Sequence, residues 1–470
     1  MAGKSRWADT EEDAALEAKL KKEKEEKKRL KAEKAAKAEE ERRRQQEIQA
    51  QQQLKQKSEE PHGDRPPAKR RKPTPEDEND GDTKDAKNVK LMRFEAGGWA
   101  PSRSVENYDK LNDIEEGSYG WVARAKEIRT GDVVALKRLK INTAESEQTG
   151  LPETGLREIQ ILKDCSHKNI VKLREVVVGE DTSRIENIFL VLEFVEHDLK
   201  SILEDMPEPF LASEAKALLL QLASGVAYLH DRWILHRDIK TSNLLLNNRG
   251  QLKIADFGMA RYVGDPPPKL TQLVVTLWYR APELLLGTKT YGAAVDMWSV
   301  GCIFGEILTR EPLLPGKNEV DELTKIFELC GVPTDESWPG FRRLPNARSL
   351  RLPATNVPAV IGSVIRARFP LLTAAGGALL SGLLSLNPDS RPTAKDMLRH
   401  EYFRQDPKPK HEAMFPTFPS KAGQERRRRH DTPNAPGRGQ VAALGSVDLT
   451  GIFAGRDKEE RGGGFSLRMV

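Results

Sequence analysis

The sequence predicts an α+β chain: a small β-rich lobe, then a larger helical lobe, with a charged helical arm before them and a polar tail after. Three observations carry this. Strand-length apolar runs broken by glycine turns crowd the stretch from Tyr108 to Val195. Helix-length apolar stretches dominate from Glu214 to about 400. The two ends, up to 104 and beyond 405, are too polar to bury a core that would offset their chain entropy. A small sheet followed by a helical bundle leaves a cleft between lobes, and such clefts bind ligands.

Composition narrows the function classes. The chain has 470 residues, 38% hydrophobic and 31% charged, which suits one organised core with solvated arms better than three packed domains. Lys+Arg 76 against Asp+Glu 71 leaves a net charge of +5, so a uniformly basic nucleic-acid coat is not expected. Cys165, Cys302 and Cys330 are too widely spaced for a disulfide framework or a zinc site, which fits a reducing compartment. The start carries acids where a secretory signal needs an apolar run. Leu371 to Leu386 is short of the roughly 20 apolar residues a membrane span needs, and reads as a buried helix. A soluble protein is expected.

Residues 1–58 read as a charged, solvated helix. Glu, Lys, Ala, Gln and Arg dominate, and pairs such as Glu23–Lys27, Glu33–Lys37 and Glu39–Arg43 place acid before base at i,i+4. No apolar heptad persists, so the helix is a spacer or a docking arm rather than a coiled coil. Residues 59–104 read as a disordered linker carrying the basic cluster Lys69-Arg70-Arg71-Lys72, which a nuclear import receptor could read. The compact domain is expected over 105–405, with the small lobe at 105–195 and the helical lobe at 196–405, and 406–470 reads as a disordered tail.

Within the small lobe, Tyr108–Lys126, Val133–Leu139 and Glu186–Val195 are strand-like. In the second lobe, Leu218, Leu222, Val226 and Leu229 fall on one face of a helix over 214–230, with Ser213 as its N-cap, and Ala294–Thr309 is a further apolar helix.

The chemistry-bearing residues lie on this frame. Gly117-Ser118-Tyr119-Gly120, ahead of Trp121 and Val122, forms a glycine turn between strands that lets backbone N–H groups approach phosphate oxygens. Lys137 ends an apolar strand and needs an anionic partner. Glu158 supplies one from a helix whose apolar face is read as Leu156, Ile159 and Leu162. In His236-Arg237-Asp238-Ile239-Lys240-Thr241-Ser242-Asn243, Asp238 can accept a hydroxyl proton and Lys240 can face a transferred phosphoryl group. Asn243 and Asp256, the latter in Asp256-Phe257-Gly258, can hold Mg²⁺ through hard oxygens. Glu283 in Ala281-Pro282-Glu283 has Arg391 as its expected buried ion-pair partner.

In this order, the set resembles the eukaryotic protein-kinase signature, over about 105–405, which implies a bilobal kinase fold. Lys240, two residues beyond Asp238, resembles the serine/threonine branch. The Val274–Arg280 run resembles cyclin-dependent kinases, whose pocket there favours proline after the phosphoacceptor. Pro152-Glu153-Thr154-Gly155-Leu156-Arg157-Glu158 is similar to the PITSLRE type, as are the 195–201 and 414–417 runs; the PISSLRE type is the nearest competitor.

The resemblance implies a cyclin-dependent serine/threonine kinase using ATP and Mg²⁺. Adenine would meet the hinge at Glu193 and Val195 and lie between Val122, Ala135 and Leu245, with Asp198 near the ribose and Lys137 on the α/β-phosphates. A cyclin, of the L type in this group, would bind along Pro152–Ile159 and push Glu158 inward. Thr271 would accept an activating phosphate met by Arg157, Arg237 and Arg261, while phosphates on Ser118 or Tyr119 would block the nucleotide. The resemblance also implies nuclear work in transcription, pre-mRNA splicing and cell-cycle control. Two departures, Glu115 for the loop's usual first glycine and the bulky Trp121, are expected to slow turnover at most.

Overall fold

Alternation of buried and half-buried positions builds the first sheet. In the computed structural model, which describes residues 102–117, 120–139, 153–179, 188–264, 270–271, 274–352, 363–418 and 447–448, strand β3 (Val133–Leu139) buries Val134 and Leu136 on one side and Leu139 on the other. Its neighbours are β1 (Tyr108–Gly117), β2 (Gly120–Glu127), β4 (Leu173–Val178) and β5 (Ile188–Glu193). They form an antiparallel sheet in the order β1-β2-β3-β5-β4. All described residues belong to the unit 96–470. The predicted arm over 1–58, the basic cluster Lys69–Lys72, Ser118, Tyr119 and Pro152 lie outside the described residues.

Helix α1 (Glu153–Asp164) turns Gly155, Glu158, Ile161 and Leu162 inward, a spacing of three and four that sets one helical face. Leu156 does not join them. It is 52% exposed, which corrects its place on the predicted apolar face: it lies one residue past inward Gly155, about 100° around the helix.

The second lobe begins with β6 (His197–Asp198) and α2 (Leu199–Asp205), followed by α3 (Ala212–His230). The predicted α3 core positions Leu218, Leu222, Val226 and Leu229 are all fully buried. The cap differs from expectation. The helix starts at Ala212, so Ser213 lies inside it, and the Leu211 N–H donates to Glu214 Oε2 at 3.0 Å, with Glu214 also paired to Lys410 at 2.8 Å. Short strands β7 (Ile234–Leu235), β8 (Leu244–Leu246), β9 (Leu252–Ile254) and β10 (Arg261–Tyr262) line the cleft side as the ladders β6-β8-β9 and β10-β7.

Helix α4 (Pro282–Leu285) leads to α5 (Ala294–Thr309), which matches its predicted span and buries every residue from Val295 to Ile307. Such a helix must be the centre of its lobe, and α3 and α8 (Ala374–Leu383) both pack on it. Between them in sequence lie α6 (Glu319–Cys330) and α7 (Ile365–Arg368), and α9 (Ala394–Arg399) follows. No helix among the described residues is long and apolar enough to cross a membrane.

The packed chain runs past the predicted end at 405. Buried Lys216 donates to the carbonyls of Gln405 and Pro407, Phe415 enters the core, and Phe418 meets His197 edge-on at 5.9 Å. Gly250 (φ +77°) makes room for this segment, since a Cβ there would lie 2.2 Å from the Glu412 carbonyl oxygen. Farther along, Val447–Asp448 (β12) pairs in parallel with Leu350–Arg351 (β11). The expected wholly disordered tail is therefore corrected over 406–418 and at 447–448. Aromatic residues at 415 and 418, within a Pro-rich run, supply the apolar area that composition averaged away.

Glu283 and Arg391 form the predicted buried pair, bidentate at 2.6 and 2.7 Å, and the guanidinium also donates to the carbonyls of Ser385 and Ala294. Arg391→Ala leaves a buried carboxylate uncompensated and should cost about 3–5 kcal/mol of stability. Urea unfolding of the full chain checks this, with a loss under about 1 kcal/mol contradicting it.

Candidate active site

Strand period places the first half of the site. Val122 pairs with Lys137 across β2 and β3, so both side chains leave the sheet on the cleft side with Ala135. Val122, Ala135, Leu192 and Leu245 stay only half-buried, whereas Ala123, Val134, Val191, Leu244 and Leu246 beside them in their strands are fully buried. That incompletely covered apolar strip lies where the adenine was expected. Glu193 pairs with Val134 and holds Lys253 at 2.9 Å, and Val195 is buried at the next turn. Asp198 caps α2, accepting from the Ser201 N–H at 2.9 Å. Gly117 and Gly120 pair with each other across the turn. Trp121 points to the opposite face of the sheet from Val122, where it packs edge-on against Phe189 and beneath Lys110. Its bulk is therefore turned away from the strip that holds Val122 and Ala135.

Lys137 is the cation of a buried cluster. Its Nζ lies 2.7 Å from Glu158 Oε1 and 2.9 Å from Asp256 Oδ1, joining a strand, a helix and a loop. Burial alone would lower the lysine pKa, but the carboxylates of Asp256 and Glu158 raise it above its ordinary value, so the ammonium stays charged. Burial likewise pushes Asp256 up, and Lys137 more than reverses it, leaving the carboxylate below its usual range.

The second half is the catalytic loop. Asp238, 1% exposed, accepts at Oδ1 from the Thr276 hydroxyl (2.9 Å) and backbone N–H (3.2 Å), while Lys240 Nζ lies 3.2 Å from its other oxygen and donates to Thr276 at 3.1 Å. The Asn243 amide nitrogen donates to the Asp238 carbonyl at 2.9 Å, which leaves its amide oxygen as the atom available to a cation. Asn243 and Asp256 are held together by the loop, since the Ala255 N–H donates to the Asn243 carbonyl at 2.9 Å. Among the described residues no cluster of three or more His, Cys, Asp or Glu forms a ready-made metal cage. A carboxylate and an amide oxygen fit Mg²⁺, which takes its remaining ligands from water and phosphate.

Three non-glycine residues here adopt left-handed backbone: Arg237 (φ 61°), Asp256 (φ 63°) and Val275 (φ 64°). For β-branched Val275 this is costly, and it is held by its N–H donating to the Arg237 carbonyl (2.9 Å) and by Arg280, which binds the carbonyls of residues 274 and 275 at 3.1 Å. Arg237 in turn rests on Asp296, whose two oxygens accept from the backbone N–H groups of His236 (3.0 Å) and Arg237 (2.9 Å). Burial would raise the Asp296 pKa, but His230, at 2.9 Å, and these N–H groups hold it below the usual range.

The residues expected to be regulatory are only partly gathered. The Arg237 guanidinium donates to the Tyr291 hydroxyl, which donates to the carbonyl of exposed Thr271 at 2.7 Å, and Arg261 enters from β10, opposite Leu235. Arg157 instead pairs with Glu153 on its own helix. Sequence reading missed Thr276, Tyr291 and Asp296. A threonine in an otherwise apolar run and an aspartate inside a buried helix were the available signals.

Lys137→Met removes the cation that pairs with both buried Glu158 and half-buried Asp256, and should cost about 3–5 kcal/mol of stability. The loss should be larger at pH 8 than at pH 5, because protonating a carboxylate relieves the repulsion. Thermal melts at the two pH values check this, and an equal loss at both contradicts it.

A model of the protein kinase domain matches residues 108–403. The chain is 48% identical over 375 residues to cyclin-dependent kinase 11B of Homo sapiens, covering 78% of this chain and 46% of that protein. It is 49% identical over 351 residues to cyclin-dependent kinase 11B of Rattus norvegicus (74% and 78%), and 50% identical over 340 residues to the serine/threonine-protein kinase ppk23 of Schizosaccharomyces pombe (72% and 83%). It thus spans about half the length of the first of these relatives. The small sheet, the helical lobe and the Lys137, Asp238 and Asp256 constellation between them agree with these matches, and the chain belongs to the protein kinase family, in its cyclin-dependent PITSLRE branch.

Proposed function

We propose that the chain is a cyclin-dependent serine/threonine kinase that transfers the γ-phosphate of ATP to serine or threonine hydroxyls of nuclear proteins, in transcription, pre-mRNA splicing and cell-cycle control. The observation that carries the reading is the convergence of Lys137, joined to Glu158 and Asp256, with the Asp238–Lys240–Thr276 cluster. Lys137 orients the α/β-phosphates, Asp238 accepts the hydroxyl proton, and Lys240 offsets charge on the transferred group. Asn243 and Asp256 are the residues that would hold Mg²⁺, which offsets phosphate charge when bound.

Substrate choice follows from Val275. Its carbonyl is turned to Arg280, so it has no acceptor to offer the residue after the phosphoacceptor, a position proline fills without leaving an N–H unpaired. The exposed Leu156 on α1 supports docking of a cyclin, of the L type, along Pro152–Ile159, which would hold Glu158 on Lys137. Thr271 is proposed as the activating phosphoacceptor, its phosphate drawing Arg157, Arg237 and Arg261 together, and Ser118 and Tyr119 as inhibitory ones. Entry to the nucleus is assigned to an import receptor reading Lys69–Lys72.

Asp238→Asn in the full chain bound to an L-type cyclin should keep nucleotide binding and lose at least about 100-fold in transfer rate, since general-base help is worth roughly 10²–10⁴-fold. Labelled-phosphate transfer to a Ser-Pro peptide measures it, and an unchanged rate would falsify the assignment. Thr271→Ala should lower activity more than cyclin affinity; comparable losses in both would make Thr271 a support of the interface instead.

A further inference from the structure

Glu306 lies near the end of the buried helix α5, 3% exposed, and no step above uses it. Its two oxygens face two hydroxyls from different parts of the site. Thr241 Oγ1 is 2.9 Å from Oε1 and the Tyr279 hydroxyl is 2.7 Å from Oε2, while the two hydroxyls are 3.1 Å from each other. Thr241 is three residues beyond Asp238, and Tyr279 is three beyond Thr276. The triangle therefore joins the loop that carries the catalytic carboxylate to the turn that binds it.

Three oxygen pairs at hydrogen-bond distance need three protons. Each hydroxyl donates once, so Thr241 and Tyr279 supply two. If Glu306 is ionised, both hydroxyls turn to it, and the 3.1 Å edge between them holds no proton in a buried space. If Glu306 is protonated, each of the three groups donates once and accepts once, and the ring closes.

We propose that Glu306 is a positioning residue, held as a neutral carboxylic acid whose proton closes this ring and locks the catalytic loop to the peptide-docking turn. The proposal rests on the phosphotransferase reading above. The surroundings agree with it. Burial pushes the Glu306 carboxyl up to about 7, although its hydrogen bonds to Tyr279 and Thr241 favour the ionised form. Burial also raises the Tyr279 hydroxyl well above its ordinary value, so it keeps its proton. The charged groups facing the site, Lys200 and Glu204 on α2, have opposite signs and sit 3.7 Å apart, and the nearby Cys302 thiol is pushed up by burial. A carboxyl raised in the folded protein favours the folded, locked state below its ordinary value near 4.5, and the lock is lost as pH rises through about 7.

The test uses the full chain with an L-type cyclin and a Ser-Pro peptide between pH 6 and 8.5. Wild-type kcat/KM for the peptide, after normalisation to Thr241→Val, should fall across this range, and Glu306→Gln, whose amide always has a proton to donate, should lose that limb. Thr241→Val, which opens two sides of the ring, should lower kcat/KM for the peptide on the order of tenfold with KM for ATP little changed, as expected of a misplaced docking turn. An identical limb in wild type and Glu306→Gln, or equal losses of ATP and peptide binding in Thr241→Val, would overturn the proposal. Amide exchange at residues 276–279 reads the lock without activity. Normalised for intrinsic pH effects, protection should fall between pH 6.5 and 8.5 in wild type and not in Glu306→Gln, and equal behaviour overturns the lock. A wild type that shows this exchange difference but transfers no phosphate would sink the phosphotransferase reading alone.

Discussion

The site depends on one carboxylate, Asp296, buried in the first turn of α5. By accepting the backbone N–H groups of His236 and Arg237 it fixes the catalytic loop to the most deeply buried helix of the lobe. It also holds Arg237 in a left-handed conformation that a free loop would abandon. From that residue the constraint spreads in two directions. The Arg237 carbonyl takes the Val275 N–H and fixes the docking turn, and its guanidinium reaches Tyr291 and, through it, the Thr271 carbonyl. Packing thus pre-orients Asp238, the proposed proton acceptor, before any substrate arrives, and this is where a rigid scaffold contributes most to phosphoryl transfer.

The two lobes contribute different physics. The sheet offers an apolar strip and one cation whose charge is secured by two carboxylates from other elements. The helical lobe offers short hydrogen bonds between loop and turn, each backed by α5 or α6, as Arg280 is by Glu319 at 2.8 Å. Because Glu158 rides on α1, whose outward face exposes Leu156, the position of that helix decides whether Lys137 keeps both partners.

Much of this was legible in the sequence because motifs record covalent order. Lys137, Glu158, Asp238, Asn243, Asp256 and the Glu283–Arg391 pair stand in short, recognisable runs, and the apolar period of α3 and the continuous apolar run of α5 gave those helices. What escaped depended on contacts between distant residues. Asp296 looks like one acid in a helix, and Thr276, Tyr279, Tyr291 and Glu306 acquire meaning only when their hydroxyls and carboxyls meet across the fold. Leu156 was misplaced because a single apolar residue beside an inward face cannot be assigned by period alone. The C-terminal segment was misread for another reason: Phe415 and Phe418 are few against many prolines and charges, yet two aromatic rings and the Lys216 anchor suffice to dock it. Strand parity, not size, fixes the side that Trp121 faces.

Helix α5 imposes the geometry of the catalytic loop through Asp296. The most direct measurement is the single-turnover rate of labelled γ-phosphate transfer by the cyclin-bound full chain carrying Asp296→Asn, an isosteric change that weakens both N–H contacts. A folded variant slowed by roughly 100-fold or more, as expected for displacement of a catalytic group by about 1 Å, is the predicted result. A folded variant that transfers phosphate at the wild-type rate would contradict it.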